Sequence, residues 1–108
     1  MFTRVAERRR HLRIAAAYPA VVRDRRGRAL ARGRTANISE SGVLVIVNLR
    51  PLPAVNQEFI IDLTVPAVSA ARTRWPATRQ VSYRCRAARV QTLGHLAGLG
   101  LEFLEKLA

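Results

Sequence analysis

Two short runs concentrate the polar chemistry of this chain. Arg9-Arg10-His11-Leu12-Arg13 holds two arginines in the pattern RxxxR, and Asn37-Ile38-Ser39-Glu40-Ser41-Gly42 holds an amide, a hydroxyl and a glycine in the pattern NxSxxG. A guanidinium is a planar, permanently charged fork that pairs two-pronged with phosphate oxygens or with the O6 and N7 edge of guanine, and lysine does neither as well. Asn37 offers a donor and an acceptor, Ser39 offers a hydroxyl, and Gly42 lets a backbone turn tightly or approach a ligand closely. A dianionic ligand with two guanines would use all of these groups.

Taken alone, each run also has an ordinary explanation. An arginine-rich tail produces RxxxR by chance, and Arg4 and Arg8 share the spacing. Asn, Ser and Gly are common turn residues whose side chains bond to nearby backbone. The elements between and after the runs carry the argument further.

Residues 1–13 are basic, with Glu7 the one acid and no strand alternation, and read as a flexible arm. From Tyr18 the pattern is β-like. Val21 and Val22 precede the turn formers of Asp24-Arg25-Arg26-Gly27, and a second stretch runs from about Arg28 to Ala36, which predicts a hairpin. Asn37 follows Arg13 by 24 positions, which suits two antiparallel strands and a tight turn, so the hairpin brings the two runs to one end of a sheet.

Val43 to Val47 is apolar on both faces and too short for a helix, hence a central strand. Gln57 to Val65 is another strand, closed by Pro66. Residues 67–79 have no clear assignment and read as a long loop or irregular edge. From Gln80 alternation puts Val81, Tyr83, Cys85 and Ala87 on one face and Ser82, Arg84 and Arg86 on the other, with a phase slip near Ala87-Ala88 that predicts a bulge. A turn around Gly94 leads into a last strand, Gly98-Leu99-Gly100-Leu101-Glu102-Phe103, and only Leu104 to Ala108 could begin a helix. About six strands with short turns make a small antiparallel barrel.

RxxxR, NxSxxG, their order, the hairpin between them and the GxGxEF-type ending together resemble the PilZ family, which consists largely of bacterial receptors for cyclic di-GMP. The resemblance runs from about Glu7 to Phe103. It implies an all-β fold, a six-stranded antiparallel PilZ-type barrel over residues 14–104 with a flexible arm over 1–13 and at most a short C-terminal helix, within one domain spanning 1–108. Many members carry a longer helix after the last strand. The resemblance also implies a ligand site in which Arg9 and Arg13 grip cyclic di-GMP from the arm while Asn37, Ser39 and Gly42 form the floor. An arginine directly before RxxxR, here Arg8, is associated in the family with an intercalated pair of ligand molecules, whose four phosphate charges would use another guanidinium.

Composition bounds the alternatives. The chain has 108 residues, 49% hydrophobic, and a formal charge of +12 that comes from 19 basic residues, of which only Lys106 is a lysine. One modest core fits this length, and the charge attracts phosphates, nucleic acid or acidic partners in a salt-sensitive way. Arginine bias also follows from a GC-rich genome. Cys85 is the only cysteine and reads as a small buried hydrophobe, and His11 and His95 lack a second ligand at metal spacing, so no metal is expected. No apolar stretch nears the roughly 20 residues of a membrane span, and no signal peptide is evident, so the expected location is cytoplasmic. Glu58, Asp62 and Glu102 have no partnered nucleophile and read as structural or surface residues. Gly98 and Gly100 do not complete a dinucleotide fingerprint.

The expectation is a non-enzymatic receptor without a cofactor that orders its arm on binding cyclic di-GMP and signals to an unidentified protein. Two alternatives differ in kind. A basic barrel could bind nucleic acid, although only six aromatic residues occur and none forms an exposed stacking series. A ligand-independent interaction domain would tolerate loss of Arg9 and Asn37.

Overall fold

The computed structural model describes residues 14–67 and 77–108. The hairpin forms where turn chemistry predicts it: the Asp24 carboxylate accepts the backbone N–H groups of Arg26 and Arg28, each at 2.9 Å, and Gly27 takes a φ of 89° that disfavours any side chain. This turn joins β2 (Pro19–Arg23) to β3 (Ala29–Ile38). A two-residue β1 (Ile14–Ala15) continues along the edge of β3 that β2 occupies, pairing Ile14 with Ile38 and Ala15 with Asn37.

The remaining strands are β4 (Gly42–Val47), β5 (Glu58–Pro66), β6 (Thr78–Leu93) and β7 (Leu96–Lys106). Every pairing is antiparallel, in the order β3-β2-β5-β6-β7-β4, and β4 pairs back with β3. The result is a closed six-stranded all-β barrel with β1 as an extra piece. Closure leaves the main sheet no long exposed edge.

Alternation builds the interior. Val43, Val45 and Val47 of β4, Phe59, Ile61 and Leu63 of β5, and Ala97, Leu99 and Leu101 of β7 point inward and are buried. Val81, Cys85 and Ala87 of β6 join them, with Tyr83 half-buried and its ring stacked on Phe103 at 3.9 Å. β4 is flanked by β3 and β7 and keeps Leu44 and Ile46 half-buried on its outer face, which explains its unbroken apolar run.

On the outer surface the three acids on strands read as structural are each matched to arginine. Asp62, 8% exposed, accepts from Arg23 Nε and from Ser82 Oγ at 2.7 Å, tying β2, β5 and β6 together. Arg84 donates to Glu105 at 3.3 Å and Glu58 at 3.2 Å, bonds that raise its already high pKa. Arg86 Nε donates to Glu102 Oε1 at 2.6 Å. The exposed pairs of Arg84 and Arg86 add little to stability.

Two regions differ from the sequence reading. Leu104 to Lys106, candidates for a helix start, extend β7 instead, and Ser82 of β6 bonds the backbone of Leu107 and Ala108. A helix that short nucleates poorly, whereas β6 offers a ready row of partners, at the cost of a bulge in β7 opposite Arg84/Cys85. Within the unassigned 67–79, Thr78 and Arg79 pair with Pro66 and Val65 and so belong to β6, while 68–76 lie outside the described residues.

Cys85 is fully buried, its Sγ donating to the Phe59 carbonyl at 3.5 Å, and burial pushes its thiol up to about 12. Only the thiolate attacks disulfides. At pH 8 the native protein should therefore react with an aromatic disulfide reagent at least about a hundredfold more slowly than the denatured chain, followed by absorbance. Equal rates would show that Cys85 is not in the core.

Candidate functional site

Two one-residue bulges shape the outer face of the barrel. In β3 the pairing with β4 shifts between Thr35 and Asn37, so Ala36 is the extra residue. Thr35 points inward and is 3% exposed, and strict alternation would send Asn37 inward as well; the bulge turns Asn37 out and packs Ile38 against the core. In β6 the pairing shifts between Ala87 and Arg89, with Ala88 extra, so that Arg89 follows the inward Ala87 onto the outer face. This is the bulge that the phase slip predicts.

The two re-aimed side chains face one another across the same cross-strand row. Asn37 pairs with Leu44, Leu44 with Gly100, and Gly100 with Arg89. The next row runs Ile46, Gly98, Gln91, and the row on the other side runs Gly42, Glu102, Arg86. Because Gly100 lacks a side chain, the outer face of β7 sinks there into an open trough of about 270 Å³, walled by Asn37, Ser39 and Ser41 on one side and Arg89 and Gln91 on the other, while Gly98 lies beyond it, covered by Leu93 and Gln91.

The turn from β3 to β4 closes one end of the trough. Ser39 N–H donates to the Gly42 carbonyl at 2.9 Å, Ser39 Oγ lies 3.2 Å from Ser41 Oγ, and Ser41 N–H donates to Ser39 Oγ at 3.3 Å. These bonds hold the loop and give Ser39 a structural role. A Cβ on Gly42 would stand 2.3 Å from the Leu101 carbonyl, so only glycine lets β4 approach β7 at this point.

The structure thus brings Asn37, Ser39 and Gly42 of the sequence-derived site together. Arg8, Arg9 and Arg13 lie outside the described residues, but Ile14, one peptide bond after Arg13, pairs with Ile38 between Asn37 and Ser39. The link behind it is clamped: Tyr18 N–H donates to Thr35 Oγ1 at 2.9 Å and the Thr35 hydroxyl donates to the Ala16 carbonyl. The root of the arm is therefore anchored beside the NxSxxG turn.

Arg89 and Gln91 were not singled out from the sequence. The Arg89 side chain has no hydrogen-bond or ion-pair partner among the described residues and contributes a guanidinium to the trough. The signal for it was the phase slip one residue earlier. Glu102 is the one acid lining the trough, and its carboxylate is held by Arg86.

The described residues thus form a closed antiparallel barrel with an outer trough lined by amide, hydroxyl and guanidinium groups, next to the strand into which the basic N-terminal sequence leads. The family model described as PilZ domain matches residues 7–107, and the chain belongs to that family. Among solved structures, the Bacillus subtilis inhibitor of motility MotI/DgrA superposes with a TM-score of 0.71 at 17% identity, over 93% of this chain and 44% of that one. The likeness is one of fold, and this chain spans less than half the length of that protein. The comparison with curated proteins finds no match.

Proposed function

We propose that this chain is a non-enzymatic cyclic di-GMP receptor. The observation that carries the reading is the convergence of Asn37, Ser39, Gly42 and Arg89 on one outer trough beside the anchored root of the arm that bears RxxxR. Family membership supports it. Arg9 and Arg13 reach the ligand from the arm and donate to phosphates and to guanine O6 and N7, Asn37 and Ser39 contribute from the floor, and Arg89 meets the ligand from the opposite wall. Arg8 serves a second, intercalated ligand molecule.

Signalling follows from order. Fixing each arm residue costs roughly 1 to 2 kcal/mol of backbone entropy, and several charge-assisted hydrogen bonds of about 1.5 to 3 kcal/mol each offset it. The arm, once laid across the barrel wall, changes the surface that a downstream protein meets in the cytoplasm. Among the described residues no helix is long and apolar enough to cross a membrane.

Isothermal titration with cyclic di-GMP at two salt concentrations tests the proposal. Saturable binding is expected, weaker at high salt but not abolished, and a ratio near two ligands per chain assigns Arg8 its role. A folded sample that takes up no ligand overturns the receptor reading, and comparable uptake of RNA with the same salt dependence favours a nucleic-acid module.

A further inference from the structure

Arginines only donate, so the guanidinium groups of the proposed site can satisfy phosphates and the O6 and N7 acceptors of guanine but not its N1–H and N2–H donors. Something else must accept from that edge. Among the side chains that line the trough, Asn37, Ser39, Ser41 and Gln91 each offer a single acceptor oxygen, and only Glu102 offers two coplanar ones.

Its placement suits the task. On the outer face of β7 Glu102 follows Gly100, and it is the one charged side chain that this strand brings to the trough, at the end where NxSxxG turns. On one flank its cross-strand partner is Gly42, which has no side chain to block it; on the other, Arg86 Nε holds Oε1 at 2.6 Å and fixes the carboxylate. The carboxylate keeps lone pairs on both oxygens for a ligand. A negative charge beside a site for a dianion is otherwise a liability, and the ion pair with Arg86, 44% and 45% exposed, adds little to stability.

We propose that Glu102 is a specificity-determining residue that accepts from the N1–H and N2–H edge of one guanine and thereby discriminates guanine from adenine; this rests on the receptor reading of the trough. Adenine turns a lone pair at N1 toward the same carboxylate, and no amino group at C2.

The test is a Glu102→Gln variant titrated with cyclic di-GMP and with cyclic di-AMP, beside the parent protein and with thermal midpoints to confirm folding. The two possible roles of Glu102 predict opposite signs. If it reads guanine, the variant binds cyclic di-GMP roughly tenfold or more weakly, while cyclic di-AMP binds equally or more tightly. If it is only a surface ion pair, removing its charge tightens both dianions alike, and that result overturns the inference while leaving the receptor reading intact. A parent protein that binds neither dinucleotide overturns both.

Discussion

An Arg9→Ala, Arg13→Ala double variant should bind cyclic di-GMP about 10² to 10⁴ times more weakly than the parent in isothermal titration. Each guanidinium is expected to make charge-assisted bonds worth about 1.5 to 3 kcal/mol, and each 1.4 kcal/mol is about a tenfold change in affinity. The control must separate site from charge, because a +12 chain attracts any dianion. Arg25 and Arg26 provide it: both are exposed in the β2–β3 turn, whose geometry rests on the Asp24 carboxylate rather than on their side chains. Removing those two costs the same charge and should weaken binding no more than a few-fold, an effect that salt erases. If both double variants lose affinity equally, binding is diffuse electrostatics and the RxxxR run is an ordinary basic tail.

The parts of this architecture that the sequence shows are those written in local chemistry. Asp24 and Gly27 announce the hairpin, Gly94 with a φ of 63° announces the β6–β7 turn, and the broken alternation at Ala87-Ala88 announces the bulge that exposes Arg89. The matching bulge at Ala36 leaves no such trace. Thr35 is polar yet buried and Ala36 is small, so Arg34-Thr35-Ala36-Asn37 has no hydrophobic phase to slip, and only the pairing with β4 shows that Asn37 faces out. Arg89 was hidden for a different reason: its arginine neighbours on β6 at 84 and 86 make it look like another solvated cation. The C-terminal strand extension is likewise a non-local outcome, decided by the free backbone of Ser82 on a neighbouring strand.

The floor of the trough brings a structural vulnerability with it. Gly100 gives the outer face its depth and Gly98 makes room for Leu93, but a strand loses side-chain packing and gains chain entropy to overcome at each glycine. Between them sits Leu99, fully buried, paired with Val45 of β4 on one side and Val90 of β6 on the other. Leu99 is the one side chain through which this stretch grips the core, at the seam where β7 joins the two halves of the wall. Leu99→Ala should therefore cost about 2 to 5 kcal/mol, a large share of the roughly 5 to 15 kcal/mol that stabilises a domain of this kind. At about 4 to 8 °C per kcal/mol, the thermal midpoint falls by some 8 to 40 °C. Leu99→Met, which conserves volume, should stay within about 1.5 kcal/mol of the parent. Well below its midpoint the alanine variant should still bind cyclic di-GMP within a few-fold of the parent, because Leu99 is buried in the interior and does not line the trough, and the defect emerges as temperature rises and β7 loosens from β4. A midpoint lowered by less than about 5 °C would mean that the interior is not packed around β7, and the trough would then need another support.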